Sequence, residues 1–280
     1  MSIDSLTIIQ QEADRLATVL AATDPAQRVP TCPDWTAADL LWHLTEVHEF
    51  WAAILASRAT TEQEVMAIEE AKAPRPAEQD VLSARREAAT KSLLAQLTAR
   101  SDEEAAWFWF SQEQTVGVTR RMQTHEATIH RVDAELTAGR PVTSISPEVA
   151  AAGLDHVLRV MWPAGHEWIP DWASTTPVAA IEIRPDGGAP QLLGISRWSG
   201  TRPRDGQEFD APVGRLLEEP ADAEGLPRAT VSGSAISVNL WAWGRAQALD
   251  HLADGPDAVE IHGDPEAIRQ LEALIAEGHD

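Results

Sequence analysis

Histidines and carboxylates are gathered into two stretches of the chain. His43 and His48 stand in DLLWHLTEVHEFW, and HEATIH fills positions 125–130. The second stretch invites comparison with the zinc-protease pattern HExxH, in which two histidines four residues apart face one ion. Here His125 and His130 are five apart, about 140° around a helix, so they diverge. Glu126 and His130 do share a face, because residues at i and i+4 are about 40° apart. A third ligand from a neighbouring helix would complete a His₂-carboxylate set with an open position, the arrangement of catalytic zinc. His43 and His48 are the candidates. They lie about 70° to either side of the stripe Leu40, Leu44, Val47, Trp51, Ile54 and Leu55, and periodicity does not choose between them. The same spacings also describe a solvated Glu/His helix pair and buried core histidines, so a metal needs independent support.

Other chemistry is thinly represented. There is no GxGxxG, no GxxxxGK[ST], no GxSxG and no EF-hand loop. Cys32 is the single cysteine, which removes an internal disulfide, a CxxC pair and a cysteine-rich zinc site, and reads as an inert thiol. The chain has 11 Trp and no Tyr, so no phenol serves as an acid. Trp107-Phe108-Trp109-Phe110 reads as a packing cluster. With 44 acidic residues against 22 Lys and Arg, the net charge is −22, the wrong sign for a phosphate-backbone binder. No stretch approaches the roughly 18 apolar residues of a membrane span, and the N-terminus lacks a signal-peptide pattern. Nucleic acid and membrane are not expected as partners, and a reducing cytoplasm suits the lone cysteine.

Helical periodicity places helices over about 4–23, 36–58, 78–99 and 115–138. Thr36, three residues ahead of Asp39, acts as an N-cap, and Gly139 follows the last of the four helices. The segments 61–79 and 165–177 read as long loops. A further helical stretch over 147–161 leads to a boundary in WPAGHEWIPDW. Beyond it the period becomes alternating, with strands expected at 178–183, 191–198, 228–232 and 258–262 and helices at 235–249 and 265–276. The expected fold is therefore α plus α+β: a four-helix bundle over 1–163 and a smaller C-terminal α+β domain over 164–280.

CPDWTAADLLWHLTEVHEFW (32–51) and RRMQTHEATIHRVDAELTAG (120–139) resemble the two signature helices of the mycothiol-dependent maleylpyruvate isomerase family, within the DinB-like four-helix metalloproteins. The tail from 229 to 271 is similar to that family's C-terminal α+β domain. The resemblance implies that the ligand on the second helix is the histidine followed by leucine, His43, joined by Glu126 and His130. His48 then becomes a pocket residue with a catalytic role, and Asp133 a candidate to orient the His130 ring. Arg245, in the triplet WGR, would hold a substrate or cosubstrate carboxylate as a bidentate pair.

The cofactors implied are a divalent metal, with zinc first, and the thiol mycothiol. Coordination deprotonates a thiol whose ordinary pKa is about 8.5, so the protein need not supply its own nucleophile. In the maleylpyruvate case the thiol adds to a conjugated double bond, the bond rotates, and elimination gives fumarylpyruvate. Release of the adduct would instead make a thiol S-transferase. A metal-dependent hydrolase using bound water and a non-catalytic small-ligand binder are the alternatives. The expected partners are a small electrophile and a low-molecular-weight thiol, with the chain a monomer or homodimer. Its 20 Arg against 2 Lys suit a GC-rich actinobacterial source. At −22, an anionic substrate would require local compensation from the metal and from arginines such as Arg245.

Overall fold

The structure, a computed structural model, describes residues 3–278 and separates into two compact units. The first comprises the chain up to Ser144 together with His251–Asp254. The second comprises Ile145–Asp250 and the chain from Gly255 onward.

In the helical unit, α1 (Ser5–Ala21), α2 (Ala37–Ser57), α4 (Gln79–Thr98) and α5 (Val116–Thr137) form the expected four-helix bundle, with α1 against α5 and α2 against α4. Its core includes Leu16, Leu20, Leu40, Leu44 and Leu82, all nearly inaccessible. Thr36 caps α2 as its sequence predicts: its hydroxyl accepts from Asp39 N, and the Asp39 carboxylate accepts from Thr36 N at 2.8 Å. The 61–79 segment is not wholly a loop. It contains α3 (Glu62–Glu70), opened by a second capping box in which Thr61 and Glu64 exchange bonds, a signal that its charged, weakly periodic sequence obscured. Trp42 is partly buried, with the Arg85 guanidinium 4.9 Å from its ring centre.

Two sets of contacts fix the direction of α2 against α5. At the C-terminal end of α2, Trp107 N donates to Ala59 O, and Val116 N at the head of α5 donates to Glu104 O. Before the N-terminal end of α2, Thr31 Oγ1 donates to Asp133 Oδ1 in the second half of α5 at 2.6 Å. The two helices are therefore antiparallel. Gly117 admits the approach of the preceding loop, since a Cβ there would meet Asp102 O at 3.0 Å. The aromatic run 107–110 packs as expected, with Phe108 and Trp107 stacked on Trp51 at 5.3 and 6.0 Å.

The second unit begins with α6 (Pro147–His156), which continues through a π turn (Val157–Met161) into a short α7 (Trp162–Ala164). The division thus falls at Ser144/Ile145, ahead of the 163/164 boundary expected from sequence. The reason is packing: α6 lies against α8 (Ala235–Ala242), and Trp243 Nε1 just beyond α8 donates to Gly153 O. Five strands form one mixed sheet in the order β3-β2-β1-β4-β5: β1 (Ser174–Pro185), β2 (Gln191–Thr201), β3 (Glu208–Leu216), β4 (Arg228–Gly233) and β5 (Glu260–Gly263). Only β1 and β4 pair in parallel. β3 was not anticipated because Pro212 interrupts its alternation, yet the strand sits at the sheet edge, where a missing N–H is tolerated. α8 ends earlier than the expected 249, since Gly244 turns the chain with φ +74°. α9 (Pro265–Ala276) covers the sheet.

Candidate metal centre

α5 is buried on nearly every side, and its two faces treat charge differently. On one, Arg131 donates through Nε to Glu12 (2.7 Å) and through Nη1 to Glu135 (2.9 Å) and the Thr143 carbonyl (2.8 Å). Glu135 also accepts from Arg15 and from the backbone and hydroxyl of Thr143. Burial alone would raise the Glu135 carboxyl, but these Thr143 bonds and the two guanidiniums outweigh it and hold it below the usual range. This network locks α5 to α1.

The other face carries Glu126 and His130, and opposite them α2 presents His43. A ligand atom from each of the three lies within 4.8 Å of the others. Glu126 Oε2 stands 3.2 Å from His130 Nε2 and 3.7 Å from His43 Nε2. Neither Glu126 Oε2 nor His43 Nε2 has a hydrogen-bond partner. Buried polar atoms without hydrogen-bond partners are costly, and two of them beside His130 Nε2 match the donor set for a cation. The donor set of two imidazoles and a carboxylate fits zinc and other first-row divalent ions. The His43 side chain is 23% exposed, against 10% for Glu126 and 3% for His130, so access runs past His43.

His130 is oriented from behind. Its Nδ1 lies 2.9 Å from Asp133 Oδ2, whose other oxygen accepts from Thr31, forming the carboxylate–histidine arrangement that turns Nε2 toward an ion. Burial by itself would lower the His130 pKa, but Asp133 and Glu126 overcome it and push it up to about 9. For Glu126, burial opposes ionisation and is outweighed by His130 and His43, so its carboxyl is held well below the ordinary range. Both shifts draw on the same pairing of Glu126 with His130 at 3.2 Å, which favours the charged form of each.

His48 does not join the three ligand atoms. It is fully buried, with Nδ1 3.0 Å from Thr90 Oγ1 on α4. The Thr90 hydroxyl donates to Arg86 O, so it accepts from His48 Nδ1–H and leaves Nε2 as a bare lone pair. Burial, then Arg86, lowers the His48 pKa to about 3, against the pull of Glu126. His125 is buried too and is not one of the three converging residues, as its spacing predicts. Arg245 lies in the second unit, 3% exposed, with Nη1 donating to Trp243 O at 2.7 Å.

Two residues beside the cluster were not singled out from sequence. The Trp35 ring lies 4.6 Å from that of His43 and 6.0 Å from that of His130, walling the site from the loop side. Gln123 is one turn ahead of Glu126, and its i, i+3, i+7 relation to Glu126 and His130 was the signal available.

Residues 6–135, which contain every part of this cluster, match the family model of the mycothiol maleylpyruvate isomerase N-terminal domain. The match lies wholly within the helical unit. The fold of the whole chain is similar to the crystal structure of the mycothiol-dependent maleylpyruvate isomerase, at 17% identity and a TM-score of 0.51, with 94% of each chain covered. A histidine-to-alanine mutant of that isomerase is similar at 16% identity and a TM-score of 0.49, covering 94% of this chain and 95% of the other. No curated protein matches. No helix among the described residues is long and apolar enough to cross a membrane.

Proposed function

We propose that the chain is a metal- and mycothiol-dependent enzyme acting on a small electrophile, as a maleylpyruvate-type isomerase or as a thiol S-transferase. The observation that carries this reading is the convergence of His43, Glu126 and His130, with unpartnered atoms on His43 and Glu126, inside the segment that matches the mycothiol-isomerase family model. A divalent ion, zinc by donor preference, would stabilise a thiol in its thiolate form. The chain's own part is positional. His43, Glu126 and His130 would hold the ion, Asp133 holds Nδ1 of His130, and the Trp35 ring packs against the His43 and His130 rings. Arg245 is assigned to a carboxylate of substrate or cosubstrate, supported by its fixed charge and its anchorage to Trp243 O. His48 is assigned to the pocket wall. A cytoplasmic, actinobacterial setting agrees with the lone buried cysteine and the arginine-rich composition.

The test is metal analysis of purified protein, followed by incubation with mycothiol and a panel of electrophiles including maleylpyruvate, read by mass spectrometry. One equivalent of metal and a thiol-dependent product are expected. In His130→Ala, the metal should be lost and the rate should fall more than about 100-fold. Protein without stoichiometric metal, or product formed equally well without thiol, would overturn the reading.

A further inference from the structure

Gln123 is 0% exposed, and neither its amide oxygen nor its amide nitrogen has a hydrogen-bond partner. A primary amide left unpaired in the interior is destabilising, because it loses its hydrogen bonds to water and gains none in return. It is not alone. His48 Nε2 on α2 and Arg86 Nε on α4 are also buried without partners, whereas Arg86 Nη1 is tied to Asp14.

These three groups fall at one level of the bundle. Gln123, Glu126 and His130 share a stripe of α5, with Gln123 about 4.5 Å along the axis from Glu126. His48 stands about 7.5 Å along α2 from His43. Because the helices are antiparallel, both steps lead the same way from the metal cluster, toward the Trp107 end. Arg86 is one turn before Thr90, which His48 contacts, and it is the nearest positive charge acting on His48. The set offers two N–H donors, from Gln123 and Arg86, and two lone-pair acceptors, on Gln123 and His48. A carboxylate would meet the acceptors unfavourably. A neutral group that both donates and accepts satisfies them.

We propose that Gln123, with His48 and Arg86, forms a subsite that binds a neutral amide or hydroxyl of the molecule held at the metal, and that Gln123 sets its specificity. The subsite rests on the metal–thiol reading and adds to it the chemistry of the ligand's second attachment point. Selectivity for thiols then arises inside the bundle, from an uncharged group.

Cobalt-loaded full-length protein provides the test, because thiolate binding to Co²⁺ gives a charge-transfer band. Three thiols are titrated: N-acetylcysteamine, which carries a neutral amide, 3-mercaptopropionate, which carries a carboxylate, and 1-propanethiol, which carries neither. The wild-type protein should bind N-acetylcysteamine at least about tenfold more tightly than the other two, corresponding to about 1.4 kcal/mol. Gln123→Met, which keeps the volume and removes the amide, should bring N-acetylcysteamine down to the affinity of 1-propanethiol at unchanged cobalt stoichiometry. Equal binding of the three thiols by the wild type, a preference for the carboxylate, or a preference that survives in Gln123→Met would overturn the subsite alone. The first two readouts need no variant and decide the matter even if the substitution impairs folding. Absence of a cobalt–thiolate band with every thiol would overturn both the subsite and the metal–thiol reading.

Discussion

The two faces of α5 bury comparable charge and differ in completeness. Around Arg131 the charged atoms have partners at 2.7–2.9 Å, supplied by Glu12, Glu135 and Thr143. Around Glu126 the charged contacts are looser, 3.2 Å to His130 and 3.7 Å to His43, and Glu126 Oε2 and His43 Nε2 make no hydrogen bond. A closed network is what structure alone requires. An open one, at equal depth on the same helix, leaves buried lone pairs unsatisfied, and that is what the proposed cation would meet. The contrast separates a stabilising cluster from a functional one without appeal to burial or residue type, which the two share.

Substitutions on the two faces should therefore fail in different ways. Arg131→Ala removes the buried guanidinium shared by Glu12 and Glu135 and should cost about 3–5 kcal/mol in denaturant unfolding, while leaving the metal content of the folded fraction intact. Loss of metal in that variant would mean that the two faces act as one. Asp133→Asn should do the opposite: metal affinity, measured by chelator competition, falls about 10–100-fold, with little change in the unfolding midpoint of metal-free protein.

The closed face also predicts a pH response. The Glu135 carboxyl is held below its unfolded value of about 4.3, so its contribution to stability is complete above that pH and is lost as the pH falls through the folded value. Glu135→Gln should lower stability by about 1–3 kcal/mol at pH 7, with the difference from wild type shrinking below pH 4 in acid titrations followed by circular dichroism. Persistence of the full difference at pH 2 would show that packing, and not ionisation, is at stake. The smallest effect belongs to a position remote from both faces. Arg58 closes α2 in the left-handed region at φ 57°, and Arg58→Gly should stabilise the bundle by about 1 kcal/mol or less in the same unfolding assay.

The helices bearing the cluster were legible because their signals are local. Thr36 with Asp39 gives the start of α2, and i, i+4 spacing puts Glu126 beside His130. The choice of His43 over His48 was not local. The two flank the same stripe, and only the position of α5 against α2 distinguishes a residue facing Glu126 from one facing Thr90. β3 and the membership of α6 in the second unit depend on pairing with distant chain, which periodicity does not carry. Gln123 escaped for a different reason: a glutamine attracts attention only once its amide is known to be buried and unpaired.

The bond from Thr31 to Asp133 has a mechanical consequence. Thr31 lies on the segment joining α1 to α2, and the relay from its hydroxyl through Asp133 ends on Nδ1, the side of the His130 ring turned away from Glu126. One chain of hydrogen bonds thus ties the interhelical connection to the His130 ring, so that a substitution at Thr31 acts on the ring's orientation from outside the cluster.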